Sequence, residues 1–153
     1  MRRLRIASLF LSLAVYPPIH ELGHLTAAIL KEIQILGIEY SVITVRDSFT
    51  STGQILLFKT SGFLVTFYPA LILFLYLWKR GSHWAHPAYV WLMASPLVSS
   101  RDFLEIGHII GINGMGQTLY YTSILSTTLM LCVYMHEVYR NKGLLASFLN
   151  IQD

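Results

Sequence analysis

The residues with the clearest capacity for chemistry are His20-Glu21-Leu22-Gly23-His24. On a helix, positions four apart lie on one face, so the two imidazoles can grip one metal ion together. Glu21 sits beside His20 and can reach water on such an ion. A divalent metal lowers the pKa of its water from about 15.7 towards 7, so a carboxylate can take the proton and leave a nucleophile. Gly23 leaves room beside the metal for a neighbouring backbone or a substrate. Two imidazoles and a carboxylate suit zinc well.

Catalytic zinc usually keeps three protein ligands and one open position. The third ligand must come from elsewhere in the chain. Arg101-Asp102-Phe103-Leu104-Glu105-Ile106-Gly107-His108 offers three candidates spaced by three, which share roughly one helix face. Asp102 ranks first, Glu105 second and His108 third. The other histidines carry less. His83 and His86 flank Trp84-Ala85 beside Lys79-Arg80 and read as a solvated interfacial loop. His136-Glu137 closes an apolar run with no second histidine four residues on, and also reads as interfacial.

The elements that must position these groups are apolar. Of the 153 residues, 54% are hydrophobic and only 12% charged, about half the charged share of a soluble domain. Mean hydropathy is +0.55. A soluble chain this small needs polar groups to cover its surface, and a lipid-facing surface removes that need. Four stretches are long enough to span a bilayer, at about residues 6–30, 61–78, 84–112 and 118–139. The first resembles a secretory signal at its basic start, but the apolar run continues past Pro17-Pro18, and it is read as a retained span. The two prolines free backbone carbonyls just ahead of the histidines. The whole is expected to be one all-α integral membrane domain of about four transmembrane helices, with a small β-hairpin between the first and second.

That hairpin is expected over about residues 38–59. Residues 38–46 are rich in β-branched side chains, residues 47–53 read as a turn, and residues 54–59 as the returning strand. Trp78, Trp84, Tyr120, Tyr121 and Tyr139 fall near span ends, as in an aromatic belt. The formal charge of +3 and the pI near 9.1 come from basic residues at span flanks rather than from a stripe, which excludes a nucleic-acid surface. With a cytoplasmic N-terminus, Arg2, Arg3, Arg5, Lys79, Arg80, Arg140 and Lys142 lie inside, against Lys31, Arg46 and Lys59 outside. The positive-inside rule therefore favours both termini in the cytoplasm. The single cysteine, Cys132, excludes an intramolecular disulfide and a cysteine zinc site. A metal transporter would spread polar residues along several spans, and here they cluster.

Residues 19–28, Ile-His-Glu-Leu-Gly-His-Leu-Thr-Ala-Ala, resemble the first core helix of the site-2 protease family of intramembrane zinc metalloproteases. Thr60-Ser61-Gly62-Phe63-Leu64-Val65 is similar to the glycine-containing opening of that family's second core helix, and the β-rich segment to its membrane-associated β-structure. Asp102 stands in the place of the family's aspartate ligand. Three positions differ from the third-span signature. Ala94 stands for the asparagine, Pro96 is one residue off register, and Phe103 replaces the glycine. The resemblance implies a Zn2+ ion on His20, His24 and Asp102, with Glu21 as the catalytic base. It also implies cleavage of a transmembrane or membrane-anchored protein substrate. The alternative is a non-catalytic metal-binding membrane protein, a pseudoprotease or peptide-binding partner.

Overall fold

The computed structural model describes residues 2–46, 49–82, 84–112 and 114–140. Lys142, His83 and the Asp47-Ser48 part of the expected turn lie outside the described residues. The elements run α1 (Arg2–Leu30), β1 (Ile35–Glu39), β2 (Val42–Val45), α2 (Thr52–Lys79), α3 (Ala85–Val98), α4 (Ser100–Ile110) and α5 (Met115–Arg140). The chain is mostly helical, with one small two-stranded antiparallel sheet between α1 and α2.

α1 continues through Pro17 and Pro18. Pro18 has no N–H to give the carbonyl four residues back, which is that of Ala14. Tyr40, in the hairpin turn, donates its hydroxyl to this carbonyl instead, which ties the sheet to the helix. α1 ends at Leu30 and the chain turns away at Glu32, whose φ of +55° lets the Ile33 N–H return to Ala28 O at 2.9 Å. Ile33 then packs with Ala27, Ala28 and Phe58 in a small core between α1 and α2.

A small hairpin is present between α1 and α2, but its turn falls inside the stretch 38–46 that was expected as a single strand. Ile35–Glu39 pairs with Val42–Val45 across a turn at Tyr40-Ser41, with Ile38 opposite Ile43. Residues 54–59, expected as the return strand, belong to α2. The cause is a helix start at Ser51. Its hydroxyl accepts from Gln54 N at 3.3 Å, and the Gln54 side chain reaches back to Thr50 N at 2.7 Å. These two bonds satisfy backbone donors at the helix start and commit the following residues to helix. The Ser51-x-x-Gln54 spacing was a legible signal for it.

The third apolar run is divided at Ser99 into α3 and α4. Ser95 donates to Trp91 O at 2.9 Å and Ser100 to Leu97 O at 2.6 Å. Hydroxyls returning to helix carbonyls in this way bend helices. α3 packs on α2 and α5 through Ala70, Tyr89 and Leu92, while α4 turns its Asp102 towards α1.

Among the described residues, two helices are long and apolar enough to cross a membrane, α2 and the Met115–Glu137 part of α5. Only 22% of the most apolar window of α2, and 6% of that of α5, is buried inside the protein. Leu64, Ile72, Leu75, Leu125, Leu129 and Val133 face outward. The apolar faces of the two helices thus lie mostly on the outside of the fold rather than in its interior.

Candidate metal centre

The helix period places His20 and His24 on the same face of α1, both buried, at 3% and 4% exposure. Their Nε2 atoms lie 3.1 Å apart. Asp102 arrives from α4, 82 positions along the chain, with Oδ2 at 3.2 Å from His20 Nε2 and 3.3 Å from His24 Nε2. The three atoms form a nearly equilateral triangle. Ligands at about 2.0–2.1 Å from a tetrahedral zinc are about 3.3–3.4 Å apart, so the donor set fits such an ion in type and spacing. His20, Glu21 and His24 form a group that could hold a metal ion.

The surroundings prepare the nitrogens for that role. His24 Nδ1 is 2.6 Å from Phe58 O. A carbonyl only accepts, so Nδ1 carries the proton and Nε2 keeps its lone pair for a ligand. Ser61 donates to the same carbonyl at 2.6 Å. His20 stacks against Tyr16, which is held by a 2.9 Å hydrogen bond to Thr66. His20 Nδ1 is buried without a protein partner among the described residues.

Close helix approach makes this possible. A Cβ on Gly23 would lie 2.5 Å from Ser61 O, so α1 and α2 touch backbone to backbone at the motif. A Cβ on Gly62 would lie 2.6 Å from His20 Cε1 and 2.7 Å from both Nε2 atoms. Only a bare backbone fits beneath the histidine pair.

Glu21 is tied to the sheet. Its Oε2 accepts from Ile43 N at 3.0 Å, which brings β2 over the centre. The histidines, Glu21 and Asp102 open into a cleft of ≈ 390 Å³ whose wall includes residues 41–45, Lys59 and Arg101.

The three candidates on α4 are thus separated. Asp102 reaches the histidines. Glu105 is held by Lys59 at 2.5 Å and by Arg101 at 3.2 Å. His108 is exposed and lines another depression with Phe49 and Ile55. His86, expected in a solvated loop, is instead a buried residue of α3, with Nδ1 at 2.8 Å from the Tyr134 hydroxyl. Lys59, Ser61, Gly62 and Ile43 were not singled out as site residues from sequence. Lys59 carried a signal as a lone charge in the turns leading into an apolar helix, and Gly62 through the resemblance of residues 60–65.

No protein-family model matches the chain, and no curated protein or solved structure matches it either. The functional reading therefore rests on the site.

Proposed function

We propose that the protein is a multi-pass intramembrane zinc metalloprotease of the site-2 protease kind. Its substrates would be transmembrane or membrane-anchored proteins, cut at a peptide bond. The observation that carries this reading is the convergence of His20 Nε2, His24 Nε2 and Asp102 Oδ2 within 3.1–3.3 Å, with Glu21 beside them on one cleft.

The membrane assignment extends the two outward-facing apolar helices to four crossings. α1, of 29 residues, is about 43 Å long at 1.5 Å per residue, enough for a hydrocarbon core of about 30 Å. α3 has 14 residues and α4 has 11. At about 21 and 16 Å neither crosses alone, so the two together make the third crossing. A bend in mid-membrane is tolerated where it lines a cavity, and α4 lines the cleft.

His20, His24 and Asp102 would hold the ion. When bound, zinc supplies Lewis acidity, polarising the scissile carbonyl and acidifying water. Glu21 takes the proton from the attacking water and returns it to the leaving amine. β2 offers the substrate an edge. An unwound peptide can add alongside Val42–Val45 by main-chain hydrogen bonds, which ask little of its sequence. Residues 54–59 are helical and offer no edge of their own.

The test is cleavage of a transmembrane peptide by the purified protein in lipid vesicles, read by mass spectrometry. Zinc-dependent cleavage that disappears in Glu21→Gln supports the reading. Zinc bound at one per chain with no cleavage of any membrane peptide leaves the metal-binding, non-catalytic alternative. Absence of bound zinc in folded protein overturns both.

A further inference from the structure

Asp102 divides its two carboxylate oxygens between different partners. Oδ2 faces both histidines, at 3.2 and 3.3 Å. Oδ1 faces the ammonium of Lys59, at 3.7 Å. Lys59 lies one residue after Phe58, whose carbonyl fixes the tautomer of His24, so one turn of α2 addresses two of the three groups. The Lys59 side chain is only 16% exposed. It is held at its far side by Glu105 Oε2 at 2.5 Å, and Glu105 in turn by Arg101 at 3.2 Å.

We propose that Lys59 is a positioning residue, which holds Asp102 by Oδ1 so that Oδ2 alone is presented to the metal, and that Glu105 holds Lys59 in place. The proposal rests on the reading of His20, His24 and Asp102 as metal ligands. A carboxylate on a helix can turn about its terminal bond and offer one oxygen or two. A cation on one oxygen removes that freedom, as partners behind metal ligands commonly do. A bare ammonium near a divalent ion would repel it. Here Glu105 balances the charge of Lys59, and Asp102 lies between Lys59 and the metal position. The net effect is orientation of the ligand at little electrostatic cost. Glu105 is then no rival ligand, since its two oxygens are engaged by Lys59 and Arg101.

Lys59→Met keeps the length of the side chain and removes the charge. Lys59→Arg keeps the charge. Glu105→Gln loosens Lys59. Each is purified in detergent, checked for helical content by circular dichroism, and titrated with zinc against a chelator and with cobalt(II) by visible absorption. The expected result is a loss of metal affinity of roughly 10–100-fold in Lys59→Met, with a changed cobalt spectrum as Asp102 alters its mode of binding. Lys59→Arg restores both in large part, and Glu105→Gln falls between. If Lys59→Met is misfolded, the comparison of Lys59→Arg with Glu105→Gln decides. Weakening in Glu105→Gln but not in Lys59→Arg supports the proposal, and equal behaviour of the two overturns it. Wild-type affinity and spectrum in folded Lys59→Met overturn the positioning role and leave the metal reading intact. Tighter binding in that variant overturns it too, because Lys59 would then be a competitor of the metal. A wild-type protein that binds neither ion overturns the metal reading itself.

Discussion

Glu21 Oε2 accepts a hydrogen bond of 3.0 Å from the backbone N–H of Ile43. A strand amide that reaches a side chain on α1 is directed away from its own sheet partner, so this is the free edge of β2. The same N–H is one that an added substrate strand would use. Under the proposed function, an extended peptide added along β2 would compete with Glu21 for Ile43 and would release the carboxylate towards the centre.

Glu21→Gln keeps an acceptor for Ile43 and removes the base. Bound zinc and helical content are expected to match wild type, while peptide cleavage falls by roughly 10²–10⁴-fold, the usual share of a general base. Metal analysis and cleavage rate on the same preparation check it. Cleavage at the wild-type rate would rule out the role given to Glu21.

Metal should stabilise the folded chain. An ion bound only by the native state adds about 2.7 kcal/mol at 100 times its Kd, so chelation is expected to lower the thermal midpoint in detergent and zinc to restore it. His24→Ala should abolish this response, and Asp102→Ala should reduce it strongly. An undiminished zinc response in Asp102→Ala would remove Asp102 from the ligand set.

Gly62→Ala tests the packing beneath the histidines. In an ordinary exposed helix the change is favourable by about 1 kcal/mol. Here the new Cβ would meet both Nε2 atoms at 2.7 Å, and overpacking of this kind costs about 1–3 kcal/mol. The steric cost is expected to exceed the helix gain, giving a lower unfolding midpoint and weaker zinc binding. A more stable variant with unchanged affinity would mean that the histidines do not rest on Gly62.

Tyr40→Phe removes the hydroxyl bonded to Ala14 O. The carbonyl left by Pro18 loses its protein donor, at a cost of about 0.5–1.5 kcal/mol. Because the loss falls on the hairpin, amide exchange should rise in residues 35–45 and stay unchanged in α2 and α5. Equal protection throughout would show that the hairpin is held by its apolar contacts alone.

The part of the site nearest in sequence was the most legible. His20, Glu21 and His24 are brought together by the helix period, a local property that five residues carry with them. The prolines were legible in the same way. Their effect on the Ala14 carbonyl follows from covalent structure, although its partner Tyr40 does not. The hairpin was legible only as a β-prone stretch, since 38–46 folds back on itself at Tyr40-Ser41 and residues 54–59 are helical. β-branched residues 38–46 drew attention from the serine–glutamine cap at Ser51 and Gln54, a short polar signal that outweighs the apolar texture of residues 54–59.

Sequence by itself determined a mostly helical, apolar chain with a histidine–glutamate motif in its first long helix, because composition and period act over a few residues. Only the tertiary structure decided which group on α4 meets the histidines, where Glu21 points, and what Lys59 holds. Asp102, Glu105 and His108 are equivalent by spacing. They are separated by the rotation of α4 after the joint at Ser99, and by the close contact of α1 with α2 at Gly23 and Gly62. Those two relations join residues up to 82 positions apart, and they arise from backbone packing between helices, which no local pattern encodes.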